Sequence, residues 1–190
     1  MPRSTPRPID AARRFLRNRE GATAVEFAII GIPFLMLLFG IMELAMVFLV
    51  QLTLQNATMA ASRDIRTGEF QSSAGVSKTA FETLVCNGMS WLQAGCADKL
   101  TVDVQTFNTF TDLSGTAPRA AASVDTNPTC WSPGGPGDKV LVRTNYKWTV
   151  ITPLLNQALV NSSGNVRVIS SATSFQNEPY SSQNPTGAQC

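Results

Sequence analysis

From Phe27 to Val50 the chain is an unbroken apolar run in which Glu43 is the only charged residue. A helix of that length rises roughly 36 Å, enough for the hydrocarbon core of a bilayer. A cleaved secretory signal has a shorter apolar stretch and an A-x-A-like exit. The sequence after this run, VQLTLQNATMAASR, offers only weak small-residue sites, so the pattern predicts a retained anchor. Helical patterning continues through QLTLQNATMAASRDIRTG, where Met59 and Ile65 alternate with polar groups, and Gly68 is the expected stop. The expected organisation is a leader over residues 1–21, a transmembrane helix over 22–50 and its extension over 51–68.

Beyond Gly68 the period changes. SKTAFETLVCNGMSWLQAGC predicts a second helix that breaks near Gly88 or Gly95, with Phe81, Leu84, Val85, Trp91 and Leu92 on its buried side. LTVDVQTF alternates as a half-buried strand does, burying Val102 and Val104 and exposing Asp103 and Gln105. KVLVRTNYKWTVI and NVRVISSATSF are the two further strands, separated by Pro153 and a short helix in PLLNQALV. Residues 111–137 are rich in Pro, Gly, Ser and Thr and read as loop, with CWSPGGPGDK the clearest turn cluster. The fold class is therefore α+β. A long amino-terminal helix continues into a small domain, residues 69–178, with an antiparallel sheet of three or four strands packed on the helix. Residues 179–190 are expected to form an exposed tail, with docking of its NEPY start left as the alternative.

Charge sharpens the membrane reading. Before Gly21 lie Arg3, Arg7, Arg13, Arg14, Arg17 and Arg19 against Asp10 and Glu20, while beyond Val50 basic and acidic residues balance. An arginine cluster beside an apolar span orients it, keeping Met1 cytoplasmic and sending the remainder across. It lacks aromatic interleaving and no basic surface follows it, so nucleic acid is not an expected partner. Two residues soften the span: Pro33 removes one backbone hydrogen bond and Gly31 adds freedom. Glu43 is either a contact for a partner helix or an acid snorkelling to the far interface.

The chain contains no histidine. That argues against Ser-His-Asp and Cys-His catalysis and against His-ligated zinc or haem. The four cysteines, Cys86, Cys96, Cys130 and Cys190, have no CxxC spacing, and outside the cytosol an even count reads as disulfides. Cys86 with Cys96 is the preferred short loop, and Cys130 with Cys190 follows by elimination. Asp98, Asp103, Asp112, Asp125 and Asp138 lack calcium-loop spacing and read as solvated surface. Ser77 and Lys78 are adjacent, which on a helix turns them apart. SPGGPG lacks the lysine and following helix of a phosphate loop. No enzyme activity, cofactor, metal or small-molecule substrate is expected.

The joint between leader and helix carries a resemblance. A basic leader, Gly21, ATAVEF and an apolar helix look like a type IV prepilin or pseudopilin processing site. More narrowly, REGATAVEFAIIGIPFLMLLFGIMELAMVF, then NATMAASRDIRTGEF and a late FQNEPY, resemble the TadE-like proteins of the tight-adherence (Tad, or Flp) pilus system. The resemblance is strongest from Arg19 to Phe70 and returns at Asn177–Tyr180. It implies that a membrane-bound aspartyl prepilin peptidase cuts between Gly21 and Ala22, with Glu26 and Phe27 completing the processing site. The cut would remove the arginines and create an amine at Ala22. Glu26 would neutralise that amine at i,i+4 spacing or on a neighbouring subunit; the alternative is an acid at the headgroup interface, favoured there by the helix dipole.

Two functional readings follow. The first, implied by the resemblance, is a minor pseudopilin at the bacterial inner membrane that supports initiation or assembly of adhesive pili. Its partners would be the prepilin peptidase, other Tad pseudopilins, pilin and assembly-platform proteins, with Glu26 and Glu43 as helix-packing residues. The alternative is a membrane-tethered extracytoplasmic binding module on an uncleaved signal anchor.

Overall fold

The structure is a computed structural model that describes residues 21–73, 75–116, 120–124, 128–152 and 155–181. The leader upstream of Gly21, Asp125 and Cys190 lie outside the described residues. In chain order the elements are α1 (Ala22–Thr67), α2 (Glu69–Ser72), α3 (Lys78–Gly88), β1 (Leu100–Phe107), α4 (Phe110–Ser114), β2 (Lys139–Thr149), α5 (Asn156–Leu159) and β3 (Val166–Gln176). The chain divides into two units, one ending at Met42 and one beginning at Glu43.

In the first unit, α1 is apolar on every side and its large side chains are exposed, from Val25 through Leu38 to Met42. Pro33 lies inside the helix without ending it. Membrane helices tolerate proline because neighbouring groups and local adjustments satisfy the freed carbonyl.

In the second unit, α1 buries one stripe: Glu43, Val47, Val50, Leu54, Ala57, Thr58, Ala61, Ser62 and Ile65. Steps of three and four keep these side chains on one face of a helix. That face meets a three-stranded antiparallel sheet of order β1-β2-β3. In β2, Val140, Val142, Thr144 and Tyr146 alternate onto the inner surface and are all buried. Thr58 Oγ1 and Thr144 Oγ1 share a hydrogen bond of 2.6 Å, which pins helix to sheet inside the core. Nearer the span, Gln51 Nε2 donates to the Ser170 carbonyl of β3 at 3.0 Å.

The helix stops where the sequence predicts. Gly68 takes φ +81°, and its N–H reaches back to the Ile65 carbonyl at 3.2 Å. A left-handed residue closes a helix at least expense when it is glycine. The second helix begins with Ser77, whose hydroxyl accepts from the Ala80 N–H at 3.1 Å, and it ends at Gly88. Gly88 sits so close to α1 that an added Cβ would lie 3.1 Å from the Cβ of Ala57. After it, Ser90–Leu92 forms one tight 3-10 turn.

That turn overturns one expectation about the core. Leu92 is buried, but Trp91 is 46% exposed, because the turn begins at Ser90 with φ +51° and abandons the α-helical phase. The buried tryptophan is Trp131, from the stretch expected to be turn alone, and it is 2% exposed. Its ring meets Phe70 and Phe81 at centroid distances of 5.8 and 5.5 Å. Backbone pairing holds it there: Val104 N–H donates to the Cys130 carbonyl and Ser132 N–H to the Val104 carbonyl, both at 2.9 Å. The segment thus runs parallel along the free edge of β1.

The same segment explains a second correction. Asp103, expected on a solvated face, is 1% exposed. Its Oδ1 accepts the Cys130 N–H at 2.8 Å, its Oδ2 accepts Gln105 Nε2 at 3.0 Å, and Arg143 opposite it on β2 approaches to 4.0 Å. A buried carboxylate persists only with such partners. Asp112 and Asp138 also serve local structure, closing the capping box of α4 with Thr109 and accepting the Gly135 N–H at 2.7 Å.

Candidate functional site

The expected processing residues open α1. Gly21 is exposed, and among the described residues, its chain neighbours and own helical turn aside, no heavy atom lies within 4 Å of where a Cβ would stand. Ala22 is the first residue of the helix and Glu26 lies one turn on. Glu26 is exposed and Phe27 is 78% exposed. The apolar residues after them face outward all round the helix. An exposed helix that is greasy on every side calls for lipid or other helices around it. Its length and composition suffice to cross a membrane, and this fits a membrane-anchored protein.

Glu43 belongs to a different constellation, one the sequence did not reveal. Its carboxylate sits against the loop that follows β2. Oε1 accepts Trp148 Nε1–H at 3.2 Å and the Ile151 N–H at 3.3 Å. Oε2 accepts the N–H groups of Ile151 at 3.2 Å and Thr152 at 3.0 Å, and the Thr152 hydroxyl at 2.8 Å. Glu43 is 6% exposed. Charge-assisted bonds to oriented backbone donors let a carboxylate stay buried where an unpartnered one could not. The donors lie more than a hundred residues away along this same chain, so the carboxylate is satisfied without a second helix. No local pattern could have pointed to Trp148, Ile151 or Thr152 as its partners. The signal available was the acid itself, placed where an apolar run makes an acid expensive.

The late FQNEPY stretch forms a third feature, at the other end of α1. Asn177 is 2% exposed and donates from Nδ2 to the carbonyls of Pro133 at 3.0 Å and Gly135 at 2.9 Å. Glu178 N–H donates to the Arg66 carbonyl at 2.8 Å, and its carboxylate pairs with the Arg66 guanidinium at 3.2 Å. Tyr180 lies flat against Gly68. Burial, with the negative charge of Asp138 adding to it, pushes the Tyr180 phenol above its ordinary range. Tyr180 therefore docks on the end of the helix, where an exposed tail had been expected from residue 179.

Cys86 and Cys96 are joined, with Cα atoms 5.7 Å apart. Cys130 is disulfide-bonded as well, and Cys190, its expected partner, lies outside the described residues. Among the described residues no group of three His, Cys, Asp or Glu side chains is placed to hold a metal ion.

Neither a curated protein nor a solved structure matches this chain. The family model of the TadE-like proteins does match, over residues 21–63. That stretch begins at the exposed glycine, takes in the apolar span and Glu43, and ends within the helical stripe that packs on the sheet. The chain is thus similar to the TadE-like family through its amino-terminal helix, which supports, at the level of the family, a protein associated with the Tad pilus.

Proposed function

We propose that this protein is a minor pseudopilin of the Tad (Flp) pilus system. In this reading a prepilin peptidase removes the leader between Gly21 and Ala22, and the mature chain supports initiation or assembly of adhesive pili at the inner membrane. One coincidence carries the reading: the TadE-like match starts at Gly21, where an exposed glycine and an exposed Glu26 lead into a helix apolar on all sides. The role is structural. The helix offers lipid-facing surface before assembly and subunit-facing surface afterwards, and Glu26 neutralises the amine that cutting creates at Ala22. The amino-terminal helix stays in the cytoplasmic membrane and the domain after Glu43 lies outside the cytoplasm, as the arginines of the leader direct.

The test is the amino-terminal residue and intact mass of the protein from its native host, with and without prepilin peptidase. A chain starting at Ala22 only when the peptidase is present is expected. A chain that keeps its arginines in both strains would overturn the processing step and favour a tethered binding module.

A further inference from the structure

We propose that the loop after β2 is a membrane-contact surface, in which Ile151 enters the outer leaflet of the bilayer that holds the apolar helix, with Trp148 at headgroup level. The proposal rests on the membrane-anchored reading of that helix and adds a second point of contact, made by the domain itself.

An exposed isoleucine is ordinary on a protein surface and means little alone. This one is unusual in degree and in placement. Ile151 is 76% exposed, against 46% for Trp91 and 49% for Phe110, the other large apolar side chains exposed outside α1 among the described residues. It is also held. Its N–H donates to both oxygens of Glu43, and the next residue donates twice more to the same carboxylate. The side chain is therefore displayed outward by a tethered backbone.

The tether determines where it is displayed. Glu43 directly follows Met42, the end of the segment whose large side chains are exposed all round. A loop bonded to Glu43 is therefore tied to the residue at which exposure on all sides gives way to one buried stripe. Trp148 suits a membrane interface, since tryptophan collects there with an apolar ring and a polar N–H. Its N–H is taken by Glu43 while the ring is only partly buried against the core. Across the sheet Trp148 pairs in register with Arg167, so a cation of the kind headgroup phosphates attract stands beside it on the same face.

The experiment places a nitroxide label at one introduced cysteine in the full chain, reconstituted in phosphatidylethanolamine–phosphatidylglycerol vesicles with the native cystines kept oxidised. The variants are Leu37→Cys in the span, Ile151→Cys in the loop and Phe110→Cys as a surface reference. Oxygen and a water-soluble nickel chelate relax the label from the lipid and aqueous sides. At Ile151 the oxygen-to-nickel accessibility ratio is expected to exceed that at Phe110 severalfold and to approach that at Leu37. A lipid-like Leu37 with Ile151 matching Phe110 would overturn the proposal and leave the anchor standing. A water-like Leu37 would overturn the anchor and the proposal together.

Discussion

Thr152 gives both its backbone N–H, at 3.0 Å, and its hydroxyl, at 2.8 Å, to the same carboxylate oxygen of Glu43. The pair joins residues 109 positions apart and ties the loop after β2 to the first residue of the domain unit. Replacing Glu43 by Ala leaves the N–H groups of Ile151 and Thr152 without their acceptor. These donors are half-buried and bonded to a charged acceptor, and a hydrogen bond to a charged group contributes about 1.5–3 kcal/mol, so Glu43→Ala is expected to destabilise the domain by about that much. Thr152→Val removes one hydroxyl bond alone and is expected to cost about 1 kcal/mol. Thermal and denaturant unfolding in detergent would read both. A Glu43→Ala protein as stable as the parent would show that the carboxylate does not hold the loop.

The contact between Gly68 and Tyr180 makes a second prediction. A Cβ on Gly68 would run into the Tyr180 ring, and the backbone there has φ +81°. Gly68→Ala therefore combines a clash with left-handed strain, which for a non-glycine residue costs roughly 1–3 kcal/mol. Tyr180→Ala in the same chain is expected to relieve the clash and leave the strain. A double-mutant cycle separates the two, and strict additivity would mean that Tyr180 does not dock on Gly68.

The two tryptophans that exchanged their expected places should respond oppositely. Trp131→Ala opens a cavity beside Phe70 and Phe81, and such truncations cost about 3–5 kcal/mol. Trp91→Ser alters an exposed position and is expected to change stability by less than about 0.5 kcal/mol. Unfolding midpoints compare them directly. Equal losses would contradict the placement of Trp131 at the centre of the core.

The Cys86–Cys96 bond spans a separation of 10 residues between the end of α3 and the start of β1. In the chain-entropy model a loop this short contributes about 2–3 kcal/mol. The paired Cys86→Ser and Cys96→Ser variant is expected to lower stability by that amount. Peptide mapping under non-reducing conditions should recover the two cysteines in one cross-linked fragment from the parent.

Much of this architecture was legible without coordinates because it depends on local repetition. The apolar run after Phe27, the stop at Gly68 and the three strands each declare themselves through near neighbours, and the structure has α1 ending at Thr67 and strands over the expected stretches. The bond between Cys86 and Cys96 was also within reach, since a short loop leaves few alternatives. Gly21 and Glu26 stood out by their spacing, and the structure leaves both exposed at the start of α1.

What only the tertiary structure decided involves residues far apart in the chain. Asp103 reads as solvated until the segment around Trp131 covers the edge of β1 and donates to its carboxylate. Trp91 has the right spacing for a helical core, yet a turn at Ser90 carries it outward and leaves the place to Trp131. Tyr180 docks because Gly68 lacks a side chain, and Glu43 stays buried because a loop from beyond β2 supplies its donors. The sequence alone determined the three strands and a helix long and apolar enough to cross a membrane, since hydrophobic periodicity and backbone propensity act over a few residues. The burial of polar groups was settled by folding, since the partner that makes it affordable arrives from the far end of the chain.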